Sequence, residues 1–233
     1  MTFIFKDRKK LETLVLLPGW AMDTQIFANL NLEYNYLVPE KVNPFTFEAK
    51  LLTFLKKSNL EKISLIGFSL GGFIAFNFAK KYPKIVQNLF LISIRKQYQK
   101  KELEQILSLI KKNKNGFLID FYKNCFYSIA DYLKFKKTLL PQYLKIPFSE
   151  LAQGLDYLAK NQVDLKTLAN LDNTYVFHGK YDKIAPLIEV KDLVAQVNNI
   201  NFTIVDEGHL FMSLSQNGNF RETSALKTFF EGP

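Results

Sequence analysis

The chain has 233 residues, 48% of them hydrophobic, which suits one globular domain with at most a small insertion. Its longest unbroken apolar runs, Leu14–Leu17 and Leu89–Ile92 among them, are too short to cross a bilayer, and the charged run Lys6–Lys10 stops the apolar start where a secretory leader would continue, so a cytoplasmic protein is expected. The single Cys125 excludes an intramolecular disulfide and a thiolate zinc site, while the formal charge of +9 fits either acidic partners or an ordinary lysine-rich surface.

In chain order, Leu14-Val15-Leu16-Leu17 before Pro18-Gly19 predicts a buried strand entering a loop. Tyr34–Val38 predicts another. From Phe45 to Lys57 the apolar positions Phe47, Leu51, Leu52, Phe54 and Leu55 have helical spacing. Ile63–Ile66 predicts a strand, Gly72–Lys81 a helix stopped by Pro83, and Val86–Ile94 the next strand. Later come a strand at Thr174–Phe177, a helix over Pro186–Val197, a strand at Asn201–Val205 and a last helix near Phe220–Phe230.

Alternating strands and helices imply an α/β fold, a mostly parallel sheet with helices on both faces. One interval breaks the rhythm. From Arg95 to Asp164 there are helical stripes (Leu103, Ile106, Leu107 and Ile110; Leu151, Leu155 and Leu158) and no convincing strand. A small helical cap over 95–164, inserted into a core of 1–94 and 165–233, accounts for this. No internal repeat or long Pro/Gly/Ser linker calls for a second independent domain.

Gly67-Phe68-Ser69-Leu70-Gly71 matches G-x-S-x-G. By itself the pattern turns up by chance in roughly a few per cent of chains this long. Here it follows a predicted strand and opens a predicted helix, and such a turn holds the serine strained with its hydroxyl above the sheet. Side chains on the neighbouring glycines would collide with the turn. The competing assignment, a phosphate-binding loop, lacks both the lysine of a Walker sequence and a G-x-G-x-x-G.

A nucleophilic serine needs a base, and the chain holds only His178 and His209. Where a triad serves a serine on such a strand-to-helix turn, the order along the chain is serine, acid, histidine. Asp182, in His178-Gly179-Lys180-Tyr181-Asp182, and His209, after Glu207-Gly208, both follow predicted strands, on the edge of the sheet where Ser69 emerges. His178 precedes the acid and is expected to tie the strand end or the acid loop by a hydrogen bond. Asp206 and Glu207 sit too near His209 in one loop to serve it easily. The oxyanion requires two backbone donors, expected from Leu70 and from Trp20 in Pro18-Gly19-Trp20-Ala21. The Trp20 indole is either a core aromatic or a pocket wall.

Together, Leu14–Trp20, Gly67–Gly72, His178–Asp182 and Gly208-His209 resemble the α/β-hydrolase superfamily along nearly the whole chain. Within it, the Gly-Trp loop, the Ser-Leu-Gly-Gly turn, the short cap and the passage Leu151–Leu158 into Asp164-Leu165-Lys166 are most similar to the pimeloyl-acyl-carrier-protein methyl ester esterases of biotin synthesis. The resemblance implies a serine carboxylesterase working through an acyl-enzyme. Its partner would be an acyl-carrier protein, with no metal, organic cofactor, nucleic acid or membrane involved. It also implies substrate contacts from Trp20, from Phe68 (often Trp in these esterases) and from Phe117. Where the family's cap arginines hold the carrier's phosphate and acidic surface, this chain has Lys111, Lys112 and Lys114, which lack the bidentate guanidinium fork. The histidine usual before Gly-Trp is Pro18. Between 95 and 164, 13 lysines and arginines face 7 aspartates and glutamates, so the cap holds a surplus of six positive charges. The rivals are a general carboxylesterase or C–C bond hydrolase of the same fold, and a non-catalytic binding protein that kept it.

Overall fold

The computed structural model describes residues 2–28, 30–198 and 200–211. The helix expected near Phe220–Phe230 lies outside them.

Continuous apolar runs make the central strands, as expected for strands covered on both faces. These are β2 (Thr13–Leu17), β4 (Ile63–Phe68) and the second half of β5 (Val86–Ile92), all buried. With β1 (Phe3–Lys6), β3 (Asn35–Pro39), β6 (Thr174–Gly179) and β7 (Ile200–Val205) they form one sheet ordered β1-β3-β2-β4-β5-β6-β7. Only β1 is antiparallel, pairing Ile4 with Val38 at the edge. The order turns around between β2 and β4, where Leu17 lies opposite Gly67. A crevice opens beyond the strand ends at such a reversal. Five of the six described neighbour pairs are parallel.

Helix α1 (Phe47–Lys57) buries Phe47, Leu51 and Leu55, and α2 (Leu70–Lys81) is buried along most of its length. Helix α2 starts at Leu70, two residues before the expected Gly72. Both glycines in its first turn are poor helix formers, but contact rather than propensity sets them there. A Cβ on Gly71 would run into the carbonyls of Leu17 and Pro18 at the end of β2. The close approach of these two segments brings the loop after β2 beside the serine turn.

Between β5 and β6 the described chain is helical: α3 (Lys100–Cys125), α4 (Ile129–Thr138), α5 (Leu140–Tyr143), α6 (Phe148–Lys160) and α7 (Leu165–Ala169). A lone bridge, Gln97 to Gln162, pairs the two ends of this excursion. Helix α3 breaks at Asn113, whose φ of −154° and ψ of 85° are not helical. The rings of Tyr122, Phe126, Phe135 and Tyr143 pack at tilted angles, with Tyr122 and Phe135 centroids 5.1 Å apart. Three cap contacts grip the loop after β2: Trp20 Nε1 donates to Leu151 O at 2.9 Å, Tyr143 Oη to Asp23 Oδ1 at 2.9 Å, and Tyr122 Oη to Ala21 O. Helix α8 (Leu187–Val194) joins β6 to β7.

Candidate active site

Ser69 sits between β4 and α2 with φ 52° and ψ −115°. A positive φ on a residue with a Cβ costs of order 1–3 kcal/mol and persists only where the surroundings impose it. Here Ser69 N donates to Ile92 O and Gly72 N to Ser69 O, each at 2.8 Å. These bonds pin the turn between a neighbouring strand and its own helix.

Asp182 follows β6 and is almost fully buried. Its Oδ1 accepts the Ile184 and Ala185 amides, both at 2.8 Å, and its Oδ2 meets His209 Nδ1 at 2.7 Å. Because the carboxylate can only accept, Nδ1 carries the hydrogen and Nε2 is left as the basic nitrogen. His209 follows β7, and its loop is fixed by Ser93 Oγ donating to His209 O at 2.7 Å and by Leu210 N donating to Cys125 O at 2.8 Å. The sheet thus brings Ser69, Asp182 and His209 to the ends of β4, β6 and β7 on one edge.

His178, the last but one residue of β6, is fully buried and hydrogen-bonds Ala185 O through Nε2 at 2.7 Å. The same nitrogen is 3.4 Å from Asp182 Oδ2. Burial pushes its pKa below the ordinary 6.5, against the opposing pull of the Asp182 charge. The expected structural tie to the acid loop is present.

A cavity of about 240 Å³ opens at Ser69 beneath the cap. Its walls include Trp20, Leu103, Phe117, Phe121, Leu155 and Leu158, with Asp120, Asn124 and Lys183 adding polar groups. The indole of Trp20 is therefore a pocket wall, edge-on to Phe121 with centroids 5.0 Å apart. The opposite face of that indole region is shared with α6: a Cβ on Gly154 would lie 2.5 Å from Trp20 Cδ1. Phe117 lines the cavity. Leu70 stands in the first turn of α2, where backbone amides lack intrahelical acceptors.

Phe68 and the three lysines are placed otherwise. Phe68 has no exposed surface and does not line the cavity; its ring lies 5.0 Å from that of His209 and beneath Gly19. It packs against the histidine ring and not on the cavity. Both faces of β4 are buried, so the alternation that would have told its direction is missing. Lys111, Lys112 and Lys114 surround the break in α3 and are not cavity residues. Lys111 and Lys112 are exposed, whereas Lys114 Nζ donates to Ile146 O at 2.9 Å and ties α3 to the turn before α6. Lys114 is a strut within the cap.

A family model described as the alpha/beta hydrolase fold matches residues 39–215. The chain belongs to that family. Among solved structures, this hydrolase is similar to the esterase EaEST of Exiguobacterium antarcticum, with TM-score 0.83, 16% identity, and 99% of this chain and 96% of the other covered. A thermophilic esterase from Thermogutta terrifontis gives TM-score 0.81 at 19% identity over 99% and 91% of the two chains. The enol-lactonase of Burkholderia xenovorans LB400 gives 0.78 at 13% over 99% and 95%. At these identities the shared property is the fold. A curated relative, abhydrolase domain-containing protein abhd-5.2 of Caenorhabditis elegans, is 43% identical over 53 residues, a match that spans 21% of this hydrolase and only 12% of that protein.

Sequence reasoning missed Tyr98 and Arg95. Tyr98 lines the cavity together with Ser69, and the Arg95 guanidinium lies over its ring at 4.5 Å. No motif marks them, because the arginine's partners, Glu102 and Glu189, are brought to it only by folding. A lone arginine directly after a predicted strand, Arg95 after Ile94, was the one available signal.

Proposed function

We propose that this hydrolase cleaves carboxylic esters by acyl transfer through Ser69, with His209 as base and Asp182 as its orienting acid. The observation that carries the reading is the 2.7 Å bond between Asp182 and His209 on the same strand-end edge of the sheet as a strained serine that opens on a mainly apolar cavity. His209 Nε2 takes the Ser69 proton as Oγ attacks the ester carbonyl, and the Trp20 and Leu70 amides receive the oxyanion. The same nitrogen returns the proton to the departing alcohol, and water then releases the acid from the acyl-enzyme.

The substrate in this reading is the methyl ester of pimeloyl-acyl-carrier protein. Support comes from the Gly-Trp and Ser-Leu-Gly-Gly resemblance, from an apolar chamber suited to an acyl chain, and from the surplus of six positive charges in the cap region facing an acidic carrier. Growth of a biotin auxotroph lacking its methyl ester esterase tests the substrate: failure of the expressed chain to restore growth, with ester hydrolysis intact in vitro, leaves a general carboxylesterase.

The chemistry has its own test. Ser69→Ala should lower ester turnover on the order of a millionfold and abolish labelling by a fluorophosphonate, with the melting curve unchanged. Full labelling of the variant would move the nucleophile to another residue.

A further inference from the structure

Arg95 leaves β5 for the cap with 9% of its surface exposed. Its guanidinium forks Glu189 at the start of α8 with 2.8 and 2.9 Å bonds, and reaches Glu102 in the first turn of α3 at 3.1 Å. A planar fork held by two carboxylates has little freedom to move. Tyr98 lies against that fork, with Phe73 on another side at 6.0 Å between centroids. The tyrosine ring is thus fixed where it lines the cavity together with Ser69.

The sheet order decides which side of Ser69 this hydroxyl occupies. Across β2, β4, β5 and β6 the strand ends present, in turn, the Trp20 loop, Ser69, the Arg95–Tyr98 segment and the Asp182 loop. The backbone donors for the carbonyl oxygen come from the Trp20 side and from Leu70. Tyr98 comes from the opposite side, from the segment after β5, between the nucleophile after β4 and the acid after β6. An ester whose carbonyl oxygen points toward Trp20 must direct its alkoxy oxygen toward the acid and His209, or His209 could not protonate it.

Building on the esterase reading, we propose that the Tyr98 hydroxyl donates a hydrogen bond to the alkoxy oxygen of the bound ester. The bond strengthens as that oxygen gains charge while its bond to the carbonyl carbon breaks, so it favours the transition state over the ground state. Tyr98 keeps its own proton throughout. The proton that completes the alcohol is the one His209 took from Ser69. Burial raises the Tyr98 pKa and keeps the hydroxyl a donor at any working pH.

Tyr98→Phe tests this, because it removes the hydroxyl and leaves the ring under Arg95. The readout is kcat/KM on methyl butyrate and p-nitrophenyl butyrate, which share an acyl group and differ in the basicity of the leaving oxygen. On the methyl ester the variant should lose about ten- to a hundredfold, chiefly in kcat. On the p-nitrophenyl ester, whose leaving oxygen needs little help, the loss should stay below about threefold. Fluorophosphonate labelling at the wild-type rate would show an undamaged nucleophile. Equal losses on both esters, or none on either, would overturn the role of Tyr98 while leaving the esterase reading in place. A wild-type protein inactive on both esters overturns that reading, and this inference with it.

Discussion

The two oxygens of Asp182 have different tasks. Oδ1 is held by the amides of Ile184 and Ala185, and Oδ2 faces two imidazoles, His209 at 2.7 Å and His178 at 3.4 Å. The Ala185 carbonyl can only accept, so His178 carries its hydrogen on Nε2. Among the described residues its Nδ1 meets no partner, and protonation there would bury an N–H without an acceptor. His178 therefore stays neutral when folded but protonates once unfolded as pH falls below 6.5. The unfolded chain then binds more protons, so stability is complete above that pH and declines as pH falls toward the depressed folded value. Thermal denaturation between pH 8 and pH 5 should show this decline, and His178→Gln should flatten it; an unchanged slope would assign the pH dependence elsewhere. In activity the two histidines should part company. His209→Ala should approach the Ser69→Ala loss, on the order of 10⁴- to 10⁶-fold, while His178→Gln keeps most turnover. The chain order of the motif already separated these roles. The shared carboxylate was not legible, because it depends on the 182–185 turn.

At the scale of elements, the loop after β2 is shaped as much by the cap as by the sheet. Trp20 donates to α6 at Leu151 and rests where Gly154 has no Cβ. Glycine inside a helix costs about 1 kcal/mol relative to alanine, so Gly154→Ala should stabilise α6 if packing were indifferent. A methyl group 2.5 Å from Trp20 Cδ1 cannot be accommodated without movement of the indole or the helix. The alanine variant should therefore gain no thermal stability, shift the emission of Trp20, the chain's single tryptophan, and, on the proposed esterase mechanism, lose several-fold in kcat/KM through displacement of the loop after β2. A more stable variant with unchanged emission and activity would show that α6 does not set Trp20. The strands β2 and β4 were readable because burial on both faces makes continuous apolar runs. The edge strand β1 was not: Phe3–Lys6 includes a lysine, and Ile4 and Phe5 are exposed. Its identity depends on pairing with β3, more than thirty residues away. The break at Asn113 was hidden too, since the apolar stripe Leu103–Ile110 ends before it and another helix begins after it.

For the whole molecule, the exposed lysine pair of the cap and the cavity lie apart. No helix among the described residues is long and apolar enough to cross a membrane. The cavity walls are mainly apolar, while Lys111 and Lys112 stand exposed at the break in α3, outside it. If these lysines receive an acidic carrier protein, Lys111→Glu with Lys112→Glu should raise KM for carrier-bound ester, and most of that loss should appear in the association rate. Lys114 is spared because its bond to Ile146 O ties α3 to the turn before α6. Added salt should bring the wild type and the variant closer, since exposed charges are screened beyond about 8 Å at physiological ionic strength. Turnover of p-nitrophenyl butyrate needs only the chamber and Ser69 and should not change. The contrast between the two substrates carries the argument, because a distorted cap would slow both. Equal loss on both would mark the lysines as structural, and no loss on either would return them to a solvated surface and leave the carrier without a docking site here.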